Sequence, residues 1–397
     1  MALVLSKADE AFRDEVRAFL QAELTPELRR EGRRCAGIFS EYPVGVQWHR
    51  ILARKRWSVP KWPVEFGGTG WTPVQHYIFA AELFEAEAPP LAPQGPRMVA
   101  PVIMEFGTQE QKDRYLPAIR NGDDYWAQGY SEPGSGSDLA ALQCRAVRDG
   151  DEYVINGTKI WTTHAHWANR IFCLVRTANT GKPQTGISFL LFDMDLPGIT
   201  IQPIISLAGD HELNQVFFDD VRVPVSALLG KENDGWTVAK FLLQHERGNA
   251  WTPQLRMRMR RLKNAAAQAF GDSGEGSAAR SDFMRRLTAA ECEIDALQAL
   301  ELRTLYQQQD GKDPGIAPSM GKVLGSELRQ KLTELAVEVG GYYALARPSL
   351  ASLADEGDVP EEAIFGMSTY MNDRAASIYA GTNEIQRNII AARLLAG

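Results

Sequence analysis

The sequence predicts an α+β protein in which a β-rich middle domain lies between two helical ones. Two changes of hydrophobic period and one unusual loop carry that expectation. Apolar residues recur every three to four positions up to about residue 122, every second position from about 126 to 223, and every three to four again after Gly235. The loop, Gln128-Gly-Tyr-Ser-Glu-Pro-Gly-Ser-Gly-Ser-Asp138, stands at the entrance to the β-rich part. The expected domains are therefore 1–122 (helical), 123–232 (β) and 233–397 (helical).

In the first region Ala11 and Phe12 with Val16, Phe19 and Leu20 keep helical spacing. A stretch rich in Pro and Gly, from Val59 to Gly70, interrupts the pattern. A last helix over 109–120 then stops at Asn121-Gly122. In the middle region Asp149-Gly150 and Asn156-Gly157 read as hairpin turns between strands at 144–147, 152–155 and 159–162. Further strands are expected at 171–176, 187–192, 199–204 and 215–218. Hairpin connections argue against a βαβ nucleotide fold. After Gly235, segments at 236–270, 281–309, 318–339 and 361–395 are each long enough for a helix of a bundle.

Composition narrows the function. The 397 residues, 44% hydrophobic and 23% charged, suit an ordinary globular protein with room for large cores. A net charge of −7 and the lack of a dense Lys/Arg stripe argue against nucleic acid as the main partner. The basic run Arg256–Lys263 reads as a solvated helix face. With no long apolar run and no signal-peptide layout, a cytoplasmic protein without a membrane anchor is expected. Cys35, Cys144, Cys173 and Cys292 are scattered and read as reduced thiols. His164 and His166 form an H-x-H without acidic or Cys companions, so no metal site is expected.

The loop at 128–138 matches neither G-x-G-x-x-G opening a helix nor G-x-x-x-x-G-K-[ST]. Its glycines and serines, stiffened by Pro133, can present N–H groups and hydroxyls to a polar guest. Trp161, Thr162 and Thr163, expected in the following strands, add a flat indole and two hydroxyls. These would suit a planar heteroaromatic ring. On residue chemistry alone, a structural loop and a cofactor cradle both stay open.

The order of motifs resembles the acyl-CoA dehydrogenase family of flavoenzymes. The markers are Trp62-Pro63 with Phe66-Gly67-Gly68, the run Phe106-Gly-Thr-Gln-Glu-Gln-Lys-Asp-Arg-Tyr-Leu-Pro117, and the Ser131–Asp138 loop. Asn156-Gly-Thr-Lys-Ile-Trp-Thr-Thr163 and Ala380-Gly-Thr-Asn-Glu-Ile-Gln386 complete the set. The resemblance implies a middle β-barrel or sandwich and a C-terminal four-helix bundle. It also implies FAD as cofactor, an acyl-CoA substrate and an electron-transferring flavoprotein as acceptor. By the same resemblance Gln128, Tyr130, Ser131, Gly136 and Ser137 line the flavin loop, Ser137 also near the acyl-CoA. Trp161 and Thr163 flank the ring, Thr162 between them also binds the cofactor, Thr382 and Glu384 reach the FAD from the C-terminal helix, and Arg247, Ala380 and Gly381 touch substrate.

The family oxidises an acyl thioester to the 2,3-enoyl product, a carboxylate taking the α-proton while hydride leaves for the flavin. In many members that carboxylate immediately precedes Gly-Thr in the terminal motif. Here the position is Ala380, whose methyl group accepts no proton. Glu246, in Leu242-Leu-Gln-His-Glu-Arg247, shares a helix face with Leu242, Leu243 and Ala250. Isovaleryl-CoA and long-chain acyl-CoA dehydrogenases look alike here, with a Glu-Arg pair on this helix and a small residue before the terminal Gly-Thr. Glu246 is therefore the expected base.

A second departure concerns assembly. Family tetramers complete each FAD site with a neighbour's Arg-x-x-Phe-Gly turn, and the matching stretch, 270–282, lacks it. That pattern looks like the large subunits of heteromeric dehydrogenases acting on pimeloyl-CoA or steroid side-chain thioesters. An α2β2 assembly with a related chain is expected, a homotetramer being the alternative. Ala380 alone would also permit a flavoenzyme of this fold with oxidase or monooxygenase chemistry, or a non-catalytic subunit. Arg97 is a candidate for meeting a distal carboxylate of the acyl group, against a plain ion pair.

Overall fold

The structure, a computed structural model, describes residues 5–35, 37–179, 181–246, 250–270, 278–345 and 366–395; the side chains of Gln244, His245, Glu246 and Tyr343 stand outside the description. The N-terminal part holds α1 (Lys7–Glu23), α2 (Pro26–Arg33), α3 (Tyr42–Ala53), α4 (Pro73–Glu85), α5 (Ala100–Phe106) and α6 (Gln109–Asn121). Their starts are set by local chemistry. Ser6, Thr72 and Thr108 each close a capping box with the residue three positions on, satisfying N–H groups that a helix start leaves open. A π-helical turn, Gln94–Val99, leads into α5.

The middle part is one seven-stranded sheet: β1 (Trp126–Gly129), β2 (Arg145–Asp149), β3 (Glu152–Lys159), β4 (Arg170–Arg176), β5 (Ile187–Asp193), β6 (Ile199–Ile204) and β7 (Leu213–Pro224). The strand order is β1-β4-β2-β3-β7-β6, with β5 paired to β4. Asp149 and Glu152 face each other across the tight turn at Gly150, as expected of Asp-Gly. Asn156-Gly157 makes no turn. β3 runs through it, and the register against β7 shifts between Ile155 and Gly157. Gly157 sits so close to β2 that a Cβ would lie 2.7 Å from the Cys144 Cα. The glycine marks a bulge and a close approach rather than a chain reversal.

The C-terminal part contains α7 (Gly235–Glu246), α8 (Thr252–Phe270), α9 (Ala278–Gln309), α10 (Ala317–Leu345), α11 (Gly366–Asp373) and α12 (Asn383–Leu395). The single helix expected over 236–270 is two. The Glu301 carboxylate of α9 accepts the N–H groups of Trp251 (2.6 Å) and Thr252 (3.3 Å) and so caps α8 from outside. The helix expected over 361–395 is also divided. A 3-10 turn (Arg374–Ser377) follows α11, Ala380 and Gly381 take positive φ, and the Thr382 hydroxyl accepts the Ile385 N–H at 3.2 Å to begin α12. Among the described residues no helix is long and apolar enough to cross a membrane.

One apolar cluster joins all three parts. It contains Val99 and Ile103 from the first helices, Tyr130 from the loop after β1, Phe172 from β4, and Val238 and Leu242 from α7. A polar knot ties the C-terminal helices. Asp373, fully buried, pairs with Arg258 at 2.5 Å and with Arg329, whose other nitrogen donates to the Tyr379 hydroxyl at 3.1 Å. Burial opposes the Asp373 charge, but the two guanidiniums outweigh it and hold the carboxyl below the usual range. A depressed carboxyl adds stability that is full above its unfolded value, about 3.9, and lost as pH falls through the folded one. Asp373→Ala leaves two buried guanidiniums uncompensated and should lower stability by about 3–5 kcal/mol at neutral pH, less in acid, as measured by urea unfolding.

Candidate functional site

The 128–138 loop leaves β1 and is folded back by its own backbone. Glu132 and Ser135 exchange N–H···O bonds at 2.8 and 3.0 Å, and the Ser135 hydroxyl donates to the Asp138 carbonyl at 2.7 Å. The buried Glu132 carboxylate organises the rest. Oε1 accepts from Lys159 Nζ (2.7 Å) and the Cys144 N–H (2.9 Å), and Oε2 accepts from the Gln143 N–H (2.6 Å). Lys159, also fully buried, donates in addition to the Tyr130 carbonyl at 3.2 Å. The end of β1, the start of β2 and the end of β3 are thereby fastened at one point. Gly134 and Gly136 stand clear, with no atom within 4 Å of where a Cβ would be.

Trp161 lies beyond this clasp, outside any strand, contrary to expectation. β3 ends at Lys159, and Trp161 takes a left-handed backbone with φ 60°. Its indole is 56% exposed, unusual for so large an apolar ring. The Ile160 N–H donates to the Ser131 carbonyl at 2.9 Å, which joins the Trp161 segment to the cradle. On its far side the Thr162 N–H donates to the Asn214 carbonyl at 2.9 Å, the Asn214 side-chain amide donates to the Thr162 carbonyl at 3.0 Å, and the His164 N–H donates to the Glu212 carbonyl at 2.9 Å. Thr162 is buried with its hydroxyl unpartnered, while Thr163 is half-buried. His164 is enclosed against the Tyr125 hydroxyl (2.7 Å), and burial, helped by His166 and His211, lowers its pKa to about 3, so the ring is neutral.

The C-terminal segment reaches the same region through Glu212. That carboxylate accepts from Asn372, just before the buried Asp373, and from the Ile38 N–H, each at 3.3 Å. Burial raises its pKa. Beyond Asp373, Tyr379 is held by Arg329, and Ala380 and Gly381 turn the chain with φ 55° and 79°. Thr382 uses its hydroxyl to cap α12, and Glu384 is exposed in the first turn of that helix. Glu246 is the last residue of α7, one turn beyond Leu242; its side chain, and Arg247 altogether, lie outside the described residues. So does 271–277, within the stretch that lacks Arg-x-x-Phe-Gly.

The structure thus brings Gln128, Tyr130, Ser131, Gly136, Ser137 and Trp161–Thr163 into one neighbourhood and sets Ala380–Glu384 on a separate, anchored segment. Sequence reasoning missed Glu132, Lys159, Asn214 and Asp373. The features present fit a flavin: an open glycine-serine backbone, an exposed indole and an orphaned buried hydroxyl at Thr162. A cavity of about 120 Å³ lies elsewhere, between α2, α8, α10 and α11, lined by Cys35, Met257, Leu262, Leu332 and Ala336 among others. None of the cradle residues lines it.

Comparison with known proteins identifies the family. Three family models match in order: the acyl-CoA dehydrogenase N-terminal domain over residues 6–123, the middle domain over 127–221 and the C-terminal domain over 233–395. The chain is 36% identical over 394 residues to acyl-CoA dehydrogenase IpdE1 of Mycobacterium tuberculosis, covering 97% of each. It superposes on the Tcur3481-Tcur3483 steroid ACAD with a TM-score of 0.84, at 29% identity, over 100% of this chain and 99% of that one. The ChsE4-ChsE5 complex from Mycobacterium tuberculosis gives a TM-score of 0.81 at 31% identity, again over 100% and 99%. The chain belongs to the acyl-CoA dehydrogenase family and is an oxidoreductase of that fold.

Proposed function

We propose that this chain, with FAD bound, oxidises an acyl-CoA thioester to the 2,3-enoyl product, with Glu246 as the base. The observation that carries this reading is the register of α7. Leu242 is fully buried in the cluster that also contains Tyr130 of the cradle, and Glu246 follows one turn later on the same helical row. A carboxylate at that helix end replaces the one missing at Ala380. FAD supplies the hydride acceptor when bound. Gln128, Tyr130, Ser131, Gly136, Ser137, Trp161, Thr162 and Thr163 would hold it, with Thr382 and Glu384 contributing from α12.

An α-C–H of a thioester is a weak acid, so the carbonyl must be polarised as the proton leaves. The Ala380 N–H survives the loss of a side-chain carboxylate, and its strained turn, fixed through Tyr379 and Arg329, gives the donor a set direction. Gly381 and Arg247 complete the thioester contacts in this reading, and Ser137 lies on the acyl-CoA side of the loop. A bulky, ring-bearing acyl group is the substrate class it favours, because a solved neighbour is a steroid ACAD. An electron-transferring flavoprotein is the proposed acceptor. Anaerobic addition of acyl-CoA thioesters to the FAD-loaded protein should bleach the flavin. Glu246→Gln should keep the FAD and slow that bleaching about 10²–10⁴-fold; an unchanged rate would remove Glu246 from the role.

The working form proposed is an α2β2 assembly with a second, related chain. This chain lacks Arg-x-x-Phe-Gly, and two of the solved structures it resembles carry paired names. Its C-terminal helices α10 and α12 also leave Leu324, Tyr342 (91% exposed), Ile389, Leu394 and Leu395 open to solvent, apolar side chains that a partner chain could cover. Purified alone, the chain should hold FAD below one per subunit. Co-expression with a relative that carries Arg-x-x-Phe-Gly should raise occupancy to the full complement in a four-chain species. Full occupancy and activity from this chain alone would establish the homotetramer instead.

A further inference from the structure

The segment carrying Trp161 and Thr163 has no ladder of its own. Trp161 and His164 both take left-handed backbone, φ 60° and 56°, a conformation that persists only where surrounding contacts impose it. The main clamp is Asn214, fully buried in β7. Its carbonyl accepts the Thr162 N–H at 2.9 Å, and its side-chain Nδ2 donates to the Thr162 carbonyl at 3.0 Å. Both backbone groups of the residue between Trp161 and Thr163 are thus taken by one partner.

The orientation of the Asn214 amide fixes the state of two histidines. The Thr162 carbonyl can only accept, so Nδ2 must face it. The second Nδ2 hydrogen meets His166 Nδ1 at 3.0 Å, which must therefore be bare. Oδ1 then accepts from His211 Nε2 at 2.8 Å, which must carry a proton. The two imidazoles stack at 3.9 Å and 19°. His164 faces His166 at 6.2 Å and is itself held by Tyr125, while Trp167 lies 4.2 Å from the His166 ring. The Glu212 carboxylate is committed to Ile38 and Asn372.

We infer that Asn214, His166 and His211 form a positioning latch for the Trp161–Thr163 wall of the site, closed only while His166 is neutral. The inference rests on the flavin reading above. A proton on His166 Nδ1 would set a donor against the Asn214 donor. Flipping the amide would answer His166 but turn an oxygen towards the Thr162 carbonyl and a donor towards His211. Either way the buried Thr162 carbonyl loses its partner, and Trp161 and Thr163 lose their fixed geometry. Burial, then His211, lowers the His166 pKa. The latch is therefore intact above the free imidazole value, about 6.5, and opens as pH falls through the lower folded value.

The test uses the assembly that binds FAD, with FAD affinity by fluorescence and visible circular dichroism of the flavin recorded from about pH 8 to 5. Wild type should lose at least tenfold in affinity across that range, with a change in flavin dichroism. His166→Asn places a pH-independent oxygen where Nδ1 stands, and should keep neutral-pH affinity while abolishing the acid loss. Asn214→Leu should weaken FAD about tenfold at pH 7.5 and alter the dichroism. The latch is overturned if His166→Asn shows the wild-type acid loss, a result that holds even if Asn214→Leu fails to fold. No FAD bound by wild type at any pH would overturn the flavin reading itself, and the latch with it.

Discussion

The site depends first on the buried ion pair between Glu132 and Lys159. Both side chains are withdrawn from water, and each oxygen of the carboxylate is used: one by Lys159 and the Cys144 N–H, the other by the Gln143 N–H. A buried pair adds little net stability against an apolar replacement, but breaking it leaves an uncompensated charge. What it contributes here is position. Three strand ends meet at this carboxylate, so the loop after β1 closes and the chain leaving β3 starts beside it. With the clasp in place, the Ile160 N–H meets the Ser131 carbonyl, and Trp161 follows directly after that link to the loop.

The remaining parts are set by two further buried polar points. Asn214 fixes the far side of the Trp161 segment, and Asp373 with its two arginines fixes the chain that leads to Ala380. Glu212 links them, since its backbone holds His164 and its carboxylate holds Asn372. α7 enters from a different direction and is held by apolar packing, Val238 and Leu242 sharing a cluster with Tyr130. Polar contacts place the cradle and the turn, while hydrophobic burial places the helix that ends at Glu246. That division suits the chemistry proposed, where donors must be aimed closely and the base approaches through an apolar wall.

Much of this was legible in the amino-acid order. The helix–β–helix class followed from hydrophobic period, and Asp149-Gly150 made the turn its chemistry predicts. Asn156-Gly157, with the same local signal, did not, because the close packing of Gly157 on Cys144 is a contact no local pattern reports. The left-handed Trp161 was equally out of reach, since its backbone is imposed by Asn214 and Glu212, some fifty residues away in the chain. Lys159 could have been found. It shares the inward row of β3 with Tyr153, Ile155 and Gly157, and a lysine on an apolar row calls for a buried acid. Glu132, one of two acidic residues in the Gly/Ser loop with Asp138, was the natural partner.

The most direct measurement is the FAD dissociation constant of Lys159→Met, set beside wild type at neutral pH with far-ultraviolet circular dichroism to follow the fold. If the Glu132–Lys159 clasp builds the cradle, affinity should fall at least tenfold, about 1.4 kcal/mol, while the secondary structure is kept. An unchanged dissociation constant in a folded variant would contradict that claim.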